Sequence, residues 1–176
     1  MNVFIAALKD EVPNLDYFHI SGVGKINATI KACELIQKYK PTTIINYGTA
    51  GALNNNLSGL IECTKFYQRD MDCRGLLSFK LGETPFDEIS EIILKRGFSC
   101  GSGDNFVNNK IELKTDVVDM EAYAIAKVCK KSNINFLCFK YISDNANENA
   151  NLNWQENCKK GEGFFEKIRK NRKIHF

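Results

Sequence analysis

Apolar and polar positions along the chain switch between two periods, and the switching predicts strands interleaved with helices. Asn2 to Leu8 reads as a buried first strand, and Tyr17 to Ile20 as a short second one ending at Ser21-Gly22-Val23-Gly24. Ala28, Ala32, Leu35, Ile36 and Tyr39 then recur at helical spacing until Pro41 closes the helix. Thr42 to Asn46 is a β-branched strand. It runs into a loop of small residues, Gly48-Thr49-Ala50-Gly51-Ala52-Leu53, whose low bulk lets backbone approach a ligand.

Ile61 to Tyr67 predicts another strand, Asp70 to Gly75 a polar connection, Pro85 to Lys95 a short surface helix, and Phe98 to Ser102 a strand ending at Gly103-Asp104. Ala122, Ile125, Ala126 and Cys129 mark one apolar helix face, and Ile134 to Ile142 is the most hydrophobic strand. Asn145 to Asn153 is Asn-rich and reads as a lid or loop. A final helix from about Trp154 to Asn171 packs through Phe164, Phe165 and Ile168. This order of elements argues for an α/β layered fold. No internal repeat or flexible linker divides the chain, so residues 1–176 are expected to form one domain.

Composition narrows the function classes. With 176 residues, 44% of them hydrophobic, the chain can bury a substantial core. The apolar start, Met1 to Leu8, is too short for a signal peptide, and no later run approaches the roughly 20 residues of a membrane helix. Seven cysteines lack zinc-binding spacings and fit a reducing cytoplasm. Only His19 and His175 offer imidazole, which leaves little material for a histidine-rich metal site or a Ser-His-Asp triad; no metal or cofactor is expected. The net charge of +3 is mild, and the basic cluster Lys167 to Lys173 fits the last turns of a helix better than a nucleic-acid tail.

Two acidic residues stand where chemistry is expected. Glu121 lies where the apolar run Val117-Val118 turns into a helix, and Asp144 follows the strand that ends Tyr141-Ile142-Ser143. Ligands of α/β sheets bind at the carboxyl ends of strands, so this pair reads as a site for acid/base chemistry on a small polar molecule. Singly, Glu121 could complement a helix dipole and Asp144 could cap a loop; together the functional reading is preferred.

Six segments, in order, carry a resemblance: Lys9-Asp10-Glu11, Ser21-Gly22-Val23-Gly24, Asn46 to Gly51, Ser102 to Val107, Met120-Glu121-Ala122 and Ser143-Asp144. They resemble the purine nucleoside phosphorylase and nucleosidase superfamily, and most of all its methylthioadenosine/S-adenosylhomocysteine nucleosidases. The resemblance implies a three-layer αβα sandwich around a central mixed sheet. It also implies cleavage of a purine–ribose bond through an oxocarbenium-like transition state. In that scheme Asp144 protonates the leaving purine while Ser143 holds its carboxyl group. Glu121 takes the ribose hydroxyls, Met120 walls the ribose, Phe106 stacks on the base and the Val107 backbone reads its edge. Glu11 activates water.

A phosphorylase would instead clamp phosphate with cations. The first loop offers Lys9 and no arginine, with Ser21, Gly22 and Lys140 as further candidates for a small anion site. Phosphorolysis is therefore the alternative to hydrolysis, and a non-catalytic nucleoside-binding protein the second. Three departures stand out. The stretch between Glu11 and Ser21 is much shorter than in typical nucleosidases, Lys140 replaces a common arginine, and Asn147 replaces a common acid. The resemblance further implies a homodimer. Asp70, Asp72 and Arg74 form a charged trio suited to a substrate entrance, a subunit contact or a solvated loop.

Overall fold

The longest apolar strands lie side by side and set the frame for everything else. A computed structural model describes residues 1–54, 56–76, 78–109 and 111–175. Strand β1 (Asn2–Ala6), short β2 (Phe18–Ile20), helix α1 (Lys25–Tyr39) and ten-residue β3 (Thr43–Ala52) form the first half. Then come β4 (Leu60–Gln68), β5 (Glu91–Ile93), β6 (Phe98–Ser102), β7 (Val117–Asp119), α2 (Ala122–Lys131), β8 (Asn135–Asp144), α3 (Ala150–Asn157) and α4 (Glu162–Asn171).

Strand β3 is parallel to β1 on one side and to β8 on the other, and β2 extends the sheet beyond β1. Alternate residues of these strands serve opposite faces, as a pleated strand dictates. Ile44, Val3 and Cys138 face one cluster with Ala28 and Leu35 of α1 and Ile125 and Cys129 of α2. Their neighbours Ile45, Phe4 and Phe139 face a second cluster centred on Phe165 of α4. Phe165 is fully buried there, a contribution of about 1.5–3 kcal/mol. Helix α1 stops at Lys40, which adopts a left-handed conformation and donates its N–H to the Ile36 carbonyl, just before Pro41.

A mixed central sheet with helices was expected, and it is found. The layered sandwich is corrected, because five strands close on themselves: β3 to β8, β8 to β4, β4 to β6, β6 to β7, and β7 back to β3. The last residues of β3 make the closure possible, since Gly51 and Ala52 pair antiparallel with Val118 and Val117. The β3–β8 ladder slips by one residue between Ala50 and Gly51, so that Gly51 faces Asp144. A bulge of this kind bends a strand and re-aims its side chains.

Three local expectations change. The small-residue stretch as far as Ala52 continues strand β3 instead of leaving it as a loop, because Gly48 to Gly51 pair with β8 and Ala52 pairs with β7. Residues 85–95 form no helix: Asp87 accepts the Ile89 N–H in a local turn at 2.9 Å, and Glu91–Ile93 adds to the edge of β4 with Ile92 turned inward. The terminal helix is two helices, broken near Gly161, where any Cβ would collide with the rings of Tyr47 and Tyr141. The first of them, α3, also claims part of the Asn-rich stretch. Phe164 is left half exposed while Phe165 takes the core position.

Candidate active site

The carboxyl ends of β1, β3, β7 and β8 open onto one cavity of about 230 Å³. Glu11, Glu121 and Asp144 all line it, as do Met120, Ser143, Phe106 and Val107. Ser21 and Lys140 do not. The Ser21 hydroxyl turns back to backbone carbonyls, with Gly22 O at 2.8 Å. Lys140 is fully buried beneath the floor, where its Nζ lies 2.8 Å from Asp119 Oδ2.

Each carboxylate is held by a different device. Glu11 ends a short 3-10 turn (Lys9–Glu11) after β1. Its Oε1 accepts the Thr49 N–H at 2.7 Å and the Thr49 hydroxyl at 2.8 Å, and its Oε2 accepts the Leu8 N–H at 3.2 Å. Asp144 ends β8; Ser143 Oγ donates to its Oδ2 at 2.7 Å and the Ala146 N–H to its Oδ1 at 2.8 Å. Glu121 precedes α2 and accepts the Gly24 N–H at 2.8 Å.

The glycines of β3 make room for these side chains. A Cβ on Gly48 would meet Glu11 Oε1 at 3.2 Å and Lys140 Nζ at 3.3 Å, and one on Gly51 would meet Asp144 Oδ1 at 2.6 Å. The low bulk of this stretch therefore admits the site's own carboxylates, a use the sequence pattern assigned to a ligand.

Charge is distributed unevenly. Burial, reinforced by the neighbouring Asp119 carboxylate, pushes Glu121 up to about 8. Burial alone would raise Asp119 as well; Lys140 and the Ser102 hydroxyl, 2.5 Å from Oδ1, hold it low instead. Among the described lining residues Arg69 is the single cation. It is 7% exposed, and it donates to Asn105 Oδ1 at 2.9 Å and to the Asn105 carbonyl at 2.5 Å. Its guanidinium thus pins the loop that carries Phe106 and Val107.

The N-terminus of α1 is also occupied. Gly24 N–H meets Glu121, and Lys25 N–H meets Asp104 Oδ1 at 2.7 Å. A second ring of charge fixes that corner: Lys25 also pairs with Asp70, whose Oδ2 accepts the Asp104 N–H at 2.8 Å. Asp70 is therefore a structural partner of this corner, whereas Asp72 and Arg74 form an exposed cluster with Glu112.

Sequence reasoning missed Arg69, Thr49, Asp119 and Trp154, all of which line the cavity. A signal existed for Asp119. A lysine inside an otherwise apolar strand demands a buried carboxylate, and Asp119 ends the apolar Val117-Val118 run. Arg69 carried none, since it opens a charged connection.

The chain matches the family model of the phosphorylase superfamily over residues 96–170. It is 30% identical over 163 residues to the 5'-methylthioadenosine/S-adenosylhomocysteine nucleosidase of Staphylococcus haemolyticus (strain JCSC1435), covering 77% of this chain and 71% of that protein. The chain belongs to the phosphorylase superfamily. The nucleosidase of the same name from Staphylococcus aureus (strain Newman) is 29% identical to this superfamily member over 162 residues, with the same shares covered. In fold it is similar to a methylthioadenosine nucleosidase mutant from Helicobacter pylori with 5'-methylthioadenosine in the active site. That match has a TM-score of 0.84 and 22% identity, over 97% of this chain and 98% of that one. The futalosine hydrolase of Helicobacter pylori is similar too, at TM-score 0.82 and 21% identity over 97% of each chain.

Proposed function

We propose that this superfamily member hydrolyses the N-glycosidic bond of a purine nucleoside of the methylthioadenosine or S-adenosylhomocysteine type, releasing free base and free sugar. The observation that carries the reading is the convergence of Glu11, Glu121 and Asp144 on one cavity. As the bond from base to C1' breaks, its electron pair moves to the purine and Asp144 gives a proton to the five-membered-ring nitrogen. Water adds to C1' and yields its proton to Glu11. Glu121 takes the ribose hydroxyls, whose hydrogen bonds strengthen as positive charge grows on the sugar. Met120 walls the ribose, Phe106 stacks on the purine and the Val107 backbone reads its edge.

Hydrolysis is preferred to phosphorolysis on charge. The amides at the start of α1 already hold carboxylates, Lys140 is neutralised by Asp119, and Arg69 is committed to the Asn105 loop. A phosphate ion would enter a cavity whose one cation among the described lining residues, Arg69, is already engaged. Incubation with methylthioadenosine and S-adenosylhomocysteine in phosphate-free buffer is the test, with free adenine and free sugar expected. Turnover that requires phosphate and yields a sugar phosphate would replace this reading with phosphorolysis; tight binding with no cleavage in either buffer would replace it with a binding protein.

The same reading includes a homodimer in the cytoplasm. Val23, Ile26 and Ile30 leave an exposed apolar stripe at and after the start of α1, beside the cavity, which suits a partner subunit. The cysteines are all free thiols, in keeping with a reducing compartment. Sedimentation that gives a monomer at assay concentration, with full activity, would remove the dimer.

A further inference from the structure

The Thr49 hydroxyl sits between two groups with opposite needs. Its oxygen lies 2.8 Å from Glu11 Oε1 and 2.9 Å from the indole Nε1 of Trp154. An indole N–H can only donate, and a hydroxyl has a single proton. With Trp154 filling an acceptor position on Thr49, the threonine proton is directed at Glu11. We propose that Trp154 is a positioning residue for Glu11, acting through Thr49 to fix the orientation of the carboxylate that activates water. The proposal rests on the hydrolase reading above.

The consequences for Glu11 follow from counting its bonds. Oε1 takes both the backbone and the hydroxyl of Thr49, while Oε2 takes the Leu8 amide at 3.2 Å. Oε1 is thus anchored, and Oε2 keeps the spare acceptor capacity that water activation uses. Without the indole, the Thr49 hydroxyl is free to rotate and leave Oε1 with one donor fewer. The helix that supplies Trp154 also reaches the acid: Asn157 of α3 donates to the Ser143 carbonyl at 2.8 Å. Seating α3 therefore orders both ends of the reaction at once, the water side through Trp154 and the leaving-group side through Asn157.

Trp154 is the only tryptophan in the chain, so its indole N–H gives a single resonance. Trp154→Phe keeps the ring and removes that N–H. We expect kcat to fall about 10-fold, the rate equivalent of ~1.4 kcal/mol, with KM within about twofold. Thr49→Val should lose a similar factor, the double variant no more than either single one, and Thr49→Ser should recover most of the rate lost in Thr49→Val. In the full-length 15N-labelled protein without substrate, the indole resonance should be protected from exchange, move in Thr49→Val and return in Thr49→Ser. An unchanged kcat in Trp154→Phe, strictly additive losses, or an indole resonance indifferent to Thr49→Val would each overturn the proposal. If the unaltered protein releases no base while the resonance still responds to Thr49→Val, the hydrolase reading has failed and the Trp154–Thr49 bond stands.

Discussion

The two walls of the cavity are built differently. On one, Glu11, Glu121 and Asp144 leave the ends of strands or the start of a helix, are buried, and receive backbone N–H groups at 2.7–3.2 Å. On the other, Phe106 follows β6 in irregular backbone, is 45% exposed, and is steadied from behind by Arg69. The first wall is held by its own hydrogen bonds; the second presents an exposed ring. Groups that must meet reacting atoms within tenths of an ångström belong on strand ends, and groups that grip a flat base tolerate a loop.

Breaking the rigid wall should cost the most. Asp144→Asn keeps the shape and removes the proton, so kcat should fall by about 10³-fold, within the range for general acids. Base release measured at saturating nucleoside checks it, and an unimpaired variant would contradict the acid role. Gly51→Ala should follow with roughly 10²-fold. Its Cβ would sit 2.6 Å from Asp144 Oδ1 and push the carboxyl out of line. Gly75→Ala, with nothing within 4 Å, is the matched control. Equal activity in the two glycine variants would mean that Asp144 need not be held where it is.

Those glycines also mark how far sequence reasoning reaches. The strands of the frame were legible, because Ile44-Ile45 and Phe136 to Phe139 carry alternating apolar faces, and so were the carboxylates at their ends. Closure of the sheet was not: it depends on the Gly51–Val118 and Ala52–Val117 pairs, which join segments far apart in the chain. Residues 85–95 misled because the apolar positions of a short edge strand also fit a helical face. The Arg69 and Trp154 contacts were invisible for the same reason as the closure, since each partner lies tens of residues away: Asn105 for one and Thr49 for the other.

Sharpening the open wall calls for a smaller effect on a different constant. Phe106→Ala should raise KM about 10-fold while kcat stays within about threefold, because stacking on a base contributes roughly 1–3 kcal/mol. Steady-state kinetics on one nucleoside separates the two constants. A fall in kcat with no change in KM would move Phe106 to the rigid wall and undo the contrast.

The smallest effect tests the electrostatics of the rigid wall without substrate. Glu121 has an ordinary value of 4.5 and is pushed up to about 8, chiefly by burial and then by Asp119. Between those values the folded chain keeps a proton that the unfolded chain has released. Stability from this group is therefore fullest below 4.5 and is lost as pH rises towards 8. Asp119, held low by Lys140, titrates below this window and adds no slope within it. Glu121→Gln removes the titration, so its melting temperature should fall less than that of the unaltered protein between pH 5 and pH 8. A difference on the order of 1 kcal/mol would appear as about 2–4 °C for a chain of this size. Parallel melting curves would show that Glu121 ionises as an ordinary carboxylate.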